Sequence, residues 1–141
     1  MGSRLRLQGV TLLTVTSTDI DRTHAILVHC AQNIEFGAVK MLCSRLPVTT
    51  DPGVQYIRIA PIDFYGYSRL MIESLNSYVQ TNHCLIVQAD GFVLDPNRWR
   101  EQFLEYDYIG APWAEYVRVS GIPGMQRLIL DWTRTEWATV G

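Results

Sequence analysis

The sequence has little net charge and no long apolar run. Its 141 residues contain 12 Lys and Arg against 14 Asp and Glu, for a formal charge of −2. No strongly basic surface is therefore expected for nucleic acid or anionic membranes. The longest apolar stretches, residues 10–15 and 84–87, are far shorter than the roughly 20 residues that span a bilayer. We predict no nucleic-acid partner, no membrane span and a cytoplasmic protein.

Cysteines are few, and several common catalytic motifs are missing. Cys30, Cys43 and Cys84 form no C-x-x-C pair, which favours buried free thiols in a reducing compartment. There is no Walker loop, G-x-G-x-x-G, H-E-x-x-H or G-x-S-x-G motif, which weakens the cases for a P-loop NTPase, a Rossmann dehydrogenase, a zincin and an α/β-hydrolase. Hydrophobic residues make up 48% and charged residues 18%, a composition typical of a compact domain.

Strand-like and helix-like patterns alternate along the chain. The predicted elements are a strand over 10–16, a helix over 19–33 with Thr18 as N-cap, a strand over 35–44, a loop over 47–53, a strand over 55–60, a helix over 67–80, a central strand over 83–88, a helix over 95–106, a short strand or turn over 108–113 and a helix over 125–132. This alternation predicts an α/β sandwich with a mostly parallel sheet flanked by helices.

Polar residues follow three of the predicted strands. Ligands of open α/β sheets bind beyond the carboxyl ends of the strands, where strand order reverses. This rule selects Thr16, Ser17, Thr18 and Asp19 after the first strand, Pro61, Ile62 and Asp63 after the third, and Asp90 with Gly91 after the central one. Such an aspartate suits Mg²⁺ or Mn²⁺, and a glycine lets a ligand approach the backbone. The alternatives are strand propensity and capping for the hydroxyl cluster, and a simple turn for Asp-Gly.

Structural explanations are favoured for the other reactive side chains. Asp19 and Asp21 fit the first turn of a helix as well as a metal site. His24, His29 and His83 have no evident Ser or Cys partner for nucleophilic catalysis. The tyrosines and tryptophans suit a core or rim as well as a sugar platform. No catalytic residue is assigned.

Three blocks of the sequence resemble a known family. They are VTLLTVTSTDIDRTHAIL at 10–27, LIVQADGFVLDPNRW at 85–99 and FLEYDYIGAPW at 103–113. These blocks are similar to a family of unknown function that is classed with nucleotide-diphospho-sugar glycosyltransferases of the GT-A type. The resemblance implies a GT-A-like, Rossmann-like fold, in which residues 1–113 form a nucleotide-sugar-binding core and residues 114–141 a C-terminal extension.

The same resemblance implies roles for individual residues. Gln88-Ala89-Asp90 stands at the metal-binding D-x-D position, so Asp90 would bind a divalent cation, Mn²⁺ or Mg²⁺, and the diphosphate of the donor. Gln88 would hydrogen-bond the ribose or sugar, and residues 16–18 would lie near the base and ribose. The metal would neutralise the leaving nucleoside diphosphate while a hydroxyl of an unknown acceptor attacks the anomeric carbon.

The end of the chain departs from that family. The glycine-rich segment and further helical portion that would complete the acceptor side do not follow residue 113. We therefore expect a donor-binding half whose acceptor half is incomplete. Two functions stay open, a metal-dependent glycosyltransferase and a non-catalytic nucleotide-sugar-binding or interaction module. A flavodoxin-like or receiver-like regulatory domain fits the α/β pattern alone.

Overall fold

The structure, a computed structural model, describes residues 4–110. The contacts within the chain divide it into two units, Met1–Arg100 and Glu101–Gly141. In the second unit the described part is a 3-10 turn, Glu101–Glu105, and the five residues 106–110. The predicted boundary at residue 113, the predicted extension over 114–141 and the predicted helix over 125–132 lie outside the described residues and stay predictions.

A parallel sheet forms the centre of the first unit. Its strands are β1 (Leu5–Thr16), β2 (Ile34–Cys43), β3 (Gln55–Arg58) and β4 (His83–Ile86), in the order β3-β2-β1-β4. All three pairings are parallel. The predicted α/β fold with a parallel sheet is confirmed.

The position of β4 differs from the prediction. Within the part of the chain that the structure describes, β4 pairs with β1 alone and lies at an edge of the sheet. All four of its residues are only half-buried. Its continuous apolar run predicted a central strand, whereas the strands with long buried segments are β1 and β2.

Helices cover both faces of this sheet. On one face lies α1 (Ile20–Asn33); on the other lies α2 (Phe64–Arg69), which continues as a π-helical turn and then a 3-10 turn. The second face has a buried cluster of Leu13, Val15 and Leu42, against which residues of this broken helix pack. Side chains alternate along a strand, and Tyr56 in β3 accordingly contacts His24 of α1 on the first face.

Strand β1 begins earlier than predicted and is irregular in register. Leu7 lies opposite Phe36 of β2, whereas the next paired residue, Thr11, lies opposite Ala38. Over this stretch β1 advances four residues (11 − 7) while β2 advances two (38 − 36). The two extra residues form a bulge in β1.

A glycine in β2 accommodates the bulge. A Cβ atom at Gly37 would lie 2.1 Å from the carbonyl oxygen of Gln8, whereas a Cβ at Gly9 would meet nothing within 4 Å. The two strands can approach this closely only because residue 37 has no side chain.

Two predicted helices are shorter or more broken than their periodicity indicated. The segment predicted over 67–80 begins at Phe64, because Asp63 caps the backbone N–H of Gly66 at 2.7 Å, and it is α-helical only to Arg69. The helix predicted over 95–106 is wrong. Asp95 does cap its start, but the 3-10 turn Pro96–Arg98 ends at once, because Trp99 has an extended ψ of 138°.

The described residues contain no membrane-crossing helix. None of the helices within residues 4–110 combines the length and the hydropathy that a bilayer requires.

Candidate functional site

Strand order reverses between β1 and β4, and a cleft lies at that point. The chain places β2 and β3 on one side of β1 and then returns to place β4 on the other. A cleft of about 340 Å³ lies beyond the carboxyl ends of these two strands. One side of it comes from β1 and the start of α1, through residues 14–16, 18, 19, 22 and 23, and the other from residues 88–90. This is where open α/β sheets bind ligands.

Four of the six predicted site residues line this cleft. They are Thr16 and Thr18 on the β1 side, and Gln88 and Asp90 on the β4 side. Ser17 and Gly91 do not line it. The Ser17 hydroxyl donates to the carbonyl oxygen of Ile62 at 2.8 Å and accepts the N–H of the same residue at 3.1 Å. Ser17 thus joins the end of β1 to the chain that follows β3.

The Gln88–Gly91 segment is a tight turn. The N–H of Gln88 donates to the carbonyl oxygen of Gly91 at 2.8 Å, and the N–H of Gly91 donates back at 3.2 Å. Asp90 therefore stands at the tip of a hydrogen-bonded turn, with its side chain exposed beside the cleft. A Cβ at Gly91 would meet nothing within 4 Å, so the space beside this backbone is open.

The β1–α1 loop has an unusual conformation at Asp19. Thr16 bonds through its hydroxyl to the backbone of Thr18, accepting the Thr18 N–H at 3.2 Å. The cap position of α1 is Asp19, so the prediction of Thr18 as N-cap is wrong. Asp19 has φ 48° and ψ 40°, and its side chain makes no capping bond. Aspartate is among the few residues besides glycine that tolerate this left-handed region.

Three charged side chains line the cleft. Asp19 and Asp90 contribute carboxylates, and Arg22 contributes a guanidinium whose Nη1 lies 3.7 Å from an oxygen of Asp19. Within residues 4–110, no group of three His, Cys, Asp or Glu side chains is arranged to hold a metal ion. The residues present fit a hard cation that takes most of its oxygens from a ligand's phosphates and from water, as Mg²⁺ commonly does.

A tyrosine of α2 extends the site. Gln88 Nε2 donates to the hydroxyl of Tyr67. Burial raises the pKa of Tyr67, the bond from Gln88 lowers it, and the negative charge of Asp90 raises it. The phenol consequently stays neutral at physiological pH and fixes the Gln88 amide.

Sequence reasoning missed three residues of this arrangement. Tyr67 begins the helix predicted over 67–80, and the tyrosines were expected in the core, at the rim or on a sugar platform, not as a partner of Gln88. A tyrosine where leucine would suffice is a signal of a polar role. Arg22 and Thr23 follow the selected hydroxyl cluster and lie in the first turn of α1. Because the strand-end rule stops at the loop, it does not reach them.

One comparison with known proteins gives a family. Residues 55–137 match the family described as "Protein of unknown function (DUF5672)". The chain belongs to this family. The DUF5672 match begins at β3, so it includes Gln88 and Asp90 but not the β1–α1 side of the cleft. No curated protein and no solved structure matches the chain.

Proposed function

We propose that the cleft binds a nucleotide-diphosphate sugar together with Mn²⁺ or Mg²⁺, and that the chain is a GT-A-like glycosyltransferase domain acting on an unknown acceptor. The position of Asp90 carries this proposal. Its carboxylate projects from a hydrogen-bonded turn directly after β4, beside the cleft at the reversal of strand order. A carboxylate in this position can bind a cation that is shared with the phosphates of a ligand.

The residues around the cleft have distinct roles in this proposal. Asp90 holds the cation, which when bound would neutralise charge on a departing nucleoside diphosphate. Gln88, fixed by Tyr67, hydrogen-bonds a hydroxyl of the ribose or sugar. Thr16 and Thr18 lie on the β1 side of the cleft and contact the base and ribose.

Ser17 and Gly91 act indirectly. Ser17 holds the β1–α1 loop through Ile62, so it positions its two threonine neighbours and need not touch the ligand. At Gly91 the open space beside the backbone admits a phosphate or sugar. The cytoplasmic location stays a prediction.

Binding without sugar transfer is the second candidate function. The turn carries one acid, since Gln88 stands two residues before Asp90 where a D-x-D pair would have a second carboxylate. A single carboxylate binds a divalent cation less tightly than a pair. A module that recognises a nucleotide-sugar, with no transfer step, needs only the weaker site.

Calorimetric titration of UDP and GDP, each with and without Mn²⁺, tests the proposal. Asp90→Asn keeps the side-chain shape but removes the charge, and we expect metal-dependent binding to weaken at least tenfold, a typical loss at metal sites being about 10- to 100-fold. Glu73→Gln is the matched control, because Glu73 is an exposed acid outside the cleft. Unchanged metal-dependent binding by Asp90→Asn would refute the role of Asp90.

A second measurement separates the two functions. The chain is incubated with the donor that it binds and Mn²⁺, and release of the nucleoside diphosphate is followed. Release that depends on Asp90 supports the transferase. Tight binding with no release over hours supports the binding module.

A further inference from the structure

We propose that the first turn of α1 is a phosphate-binding subsite that works without a metal ion. Its ligand groups are the guanidinium of Arg22, the hydroxyl of Thr23 and backbone N–H groups of the turn. The inference takes two points from the proposed function: that the cleft is a binding site, and that its ligand bears phosphate. It requires neither Asp90 nor sugar transfer.

The first observation is a buried hydroxyl with no protein partner. Thr23 lines the cleft and is only 4% exposed. No group within residues 4–110 hydrogen-bonds to its hydroxyl. Fully enclosed side-chain oxygens and nitrogens in the described residues all have partners, so this hydroxyl keeps a small exposed area, and the residue that bears it lines the cleft. A nearly buried donor of this kind normally has a partner, and an oxygen of a ligand would supply it.

The second observation is the free start of α1. In the part of the chain that the structure describes, three helical segments begin after an aspartate, and two of these aspartates cap their own segment: Asp63 accepts the N–H of Gly66 at 2.7 Å, and Asp95 accepts the N–H of Asn97 at 3.0 Å. Asp19, in its left-handed conformation, makes no such bond. The N–H groups at the start of this 14-residue helix are left to other acceptors, and anions suit them.

The third observation is the state of Arg22. Its nearest carboxylate oxygen, on Asp19, is 3.7 Å away, which is too long for a hydrogen bond. The side chain makes no hydrogen bond within the described residues. The guanidinium thus pairs with Asp19 by charge alone, and its planar fork of N–H donors matches the geometry of a phosphate group.

Asp19 gives the subsite a distinctive property. Its carboxylate lies beside the same guanidinium and repels a bound anion. Phosphate must compete with Asp19 for Arg22. Removal of this charge by Asp19→Asn should therefore tighten phosphate binding, whereas loss of a merely structural cap would not.

The test uses inorganic pyrophosphate titrated calorimetrically into the whole chain at low salt with EDTA present, so that no divalent metal contributes. The variants are Arg22→Gln, Thr23→Val and Asp19→Asn. Arg98→Gln is the matched control, because Arg98 faces Asp95 at 3.8 Å with the same three-residue spacing and is also exposed, but lies outside the cleft. Melting temperatures without ligand verify that each variant folds.

We expect Arg22→Gln to weaken pyrophosphate binding about tenfold or more and Thr23→Val about fivefold, as for lost hydrogen bonds to a charged group. Asp19→Asn should bind more tightly, and Arg98→Gln should match the wild type. Three results would each overturn the subsite: binding by Arg22→Gln equal to the wild type, an equal loss in Arg98→Gln, or pyrophosphate binding that needs Mn²⁺.

The same titrations distinguish the two proposals. Pyrophosphate binding that is lost in Arg22→Gln but retained in Asp90→Asn supports the subsite, whatever happens to the metal-dependent binding of UDP or GDP. Binding that is lost only in Asp90→Asn, and only with Mn²⁺ present, overturns the subsite and leaves the proposed function intact.

Discussion

The two halves of the sheet differ sharply in burial. Of the fifteen buried apolar side chains within residues 4–110, thirteen lie between residues 5 and 43, in β1, α1 and β2, and none lies between residues 55 and 86. The second region has short strands and a helix that changes type twice. The first region therefore supplies the core, while the second forms a half-buried layer over it.

The cleft takes one side from each region. The β1–α1 side rests on the core, whereas the Gln88–Gly91 turn follows an edge strand. The hydroxyl of Thr14 donates to the Val87 carbonyl oxygen at 2.7 Å, and the Val87 N–H donates to Leu13 at 3.0 Å. These two bonds join the turn to the core, and we expect local opening of the molecule to occur on the β4 side first.

The sharpest test of the difference is a pair of leucines. Leu12 in β1 and Leu85 in β4 are register partners, but Leu12 is fully buried and Leu85 is only half-buried. Leu12→Ala should lower the free energy of unfolding by about 4 kcal/mol, because removal of a fully buried side chain leaves a cavity that cannot collapse. Leu85→Ala should lower it by about 1.5 kcal/mol. Urea denaturation measures both, and equal losses would contradict the division into core and layer.

A second pair tests the bulge of the first region. Gly37→Ala places a Cβ 2.1 Å from the backbone of Gln8 and should cost about 3 kcal/mol, because two strands must separate. Gly9→Ala is the control, since its Cβ would meet nothing; both variants restrict the unfolded chain equally. If Gly37→Ala and Gly9→Ala had the same urea midpoint, the close approach of β2 to β1 at Gly37 would be absent.

The smallest expected effect concerns ion pairs. Arg45 lowers the pKa of Asp21 from 3.8, helped by the N–H of Val48. The stabilisation of the fold by these Asp21 contacts is therefore present above pH 3.8, and it is lost as pH falls through the lower pKa of Asp21 in the folded protein. Between about pH 5 and about pH 2.5 the urea midpoint of Asp21→Asn should fall less than that of the wild type.

The second region again supplies the control. Glu73 pairs with Arg69 one helical turn away, at 3.1 Å, and both side chains are exposed. Such local pairs contribute little, so the midpoint of Glu73→Gln should follow the wild type over the same pH range. If the urea midpoint of Asp21→Asn fell with pH as steeply as that of the wild type, the Asp21 contacts would not stabilise the fold.

The same contrast explains how much of the fold the sequence predicts. In the core region, apolar periodicity reflects burial directly, and the predictions of α1 and β2 were within one residue at each end. In the half-buried layer, one stripe of apolar residues fits an α-, a π- or a 3-10 turn equally well. The pattern predicted a single helix over 67–80, and the changes of type at Leu70 and Leu75 have no periodic signature.

The lining of the cleft was predictable where it depends on strand ends. The strand-end rule selected Thr16, Thr18 and Asp90, which line the cleft, because a parallel sheet brings these positions to one edge. The rule also selected Ser17, which does not line the cleft because its hydroxyl points to Ile62. The direction of a loop side chain depends on φ and ψ, which the rule does not include. The contact between Tyr67 and Gln88 joins residues 21 positions apart and is visible only in three dimensions.

The bulge in β1 has a consequence for insertions and deletions. The two extra residues of β1 are an even number, so the residues before and after them keep the same alternation between the two faces of the sheet. Deletion of Gly9 alone would turn Leu5 and Leu7 to the opposite face. Deletion of Gln8 and Gly9 together would leave each side chain on its own face, so a two-residue length change is the smallest that this part of the strand can accept.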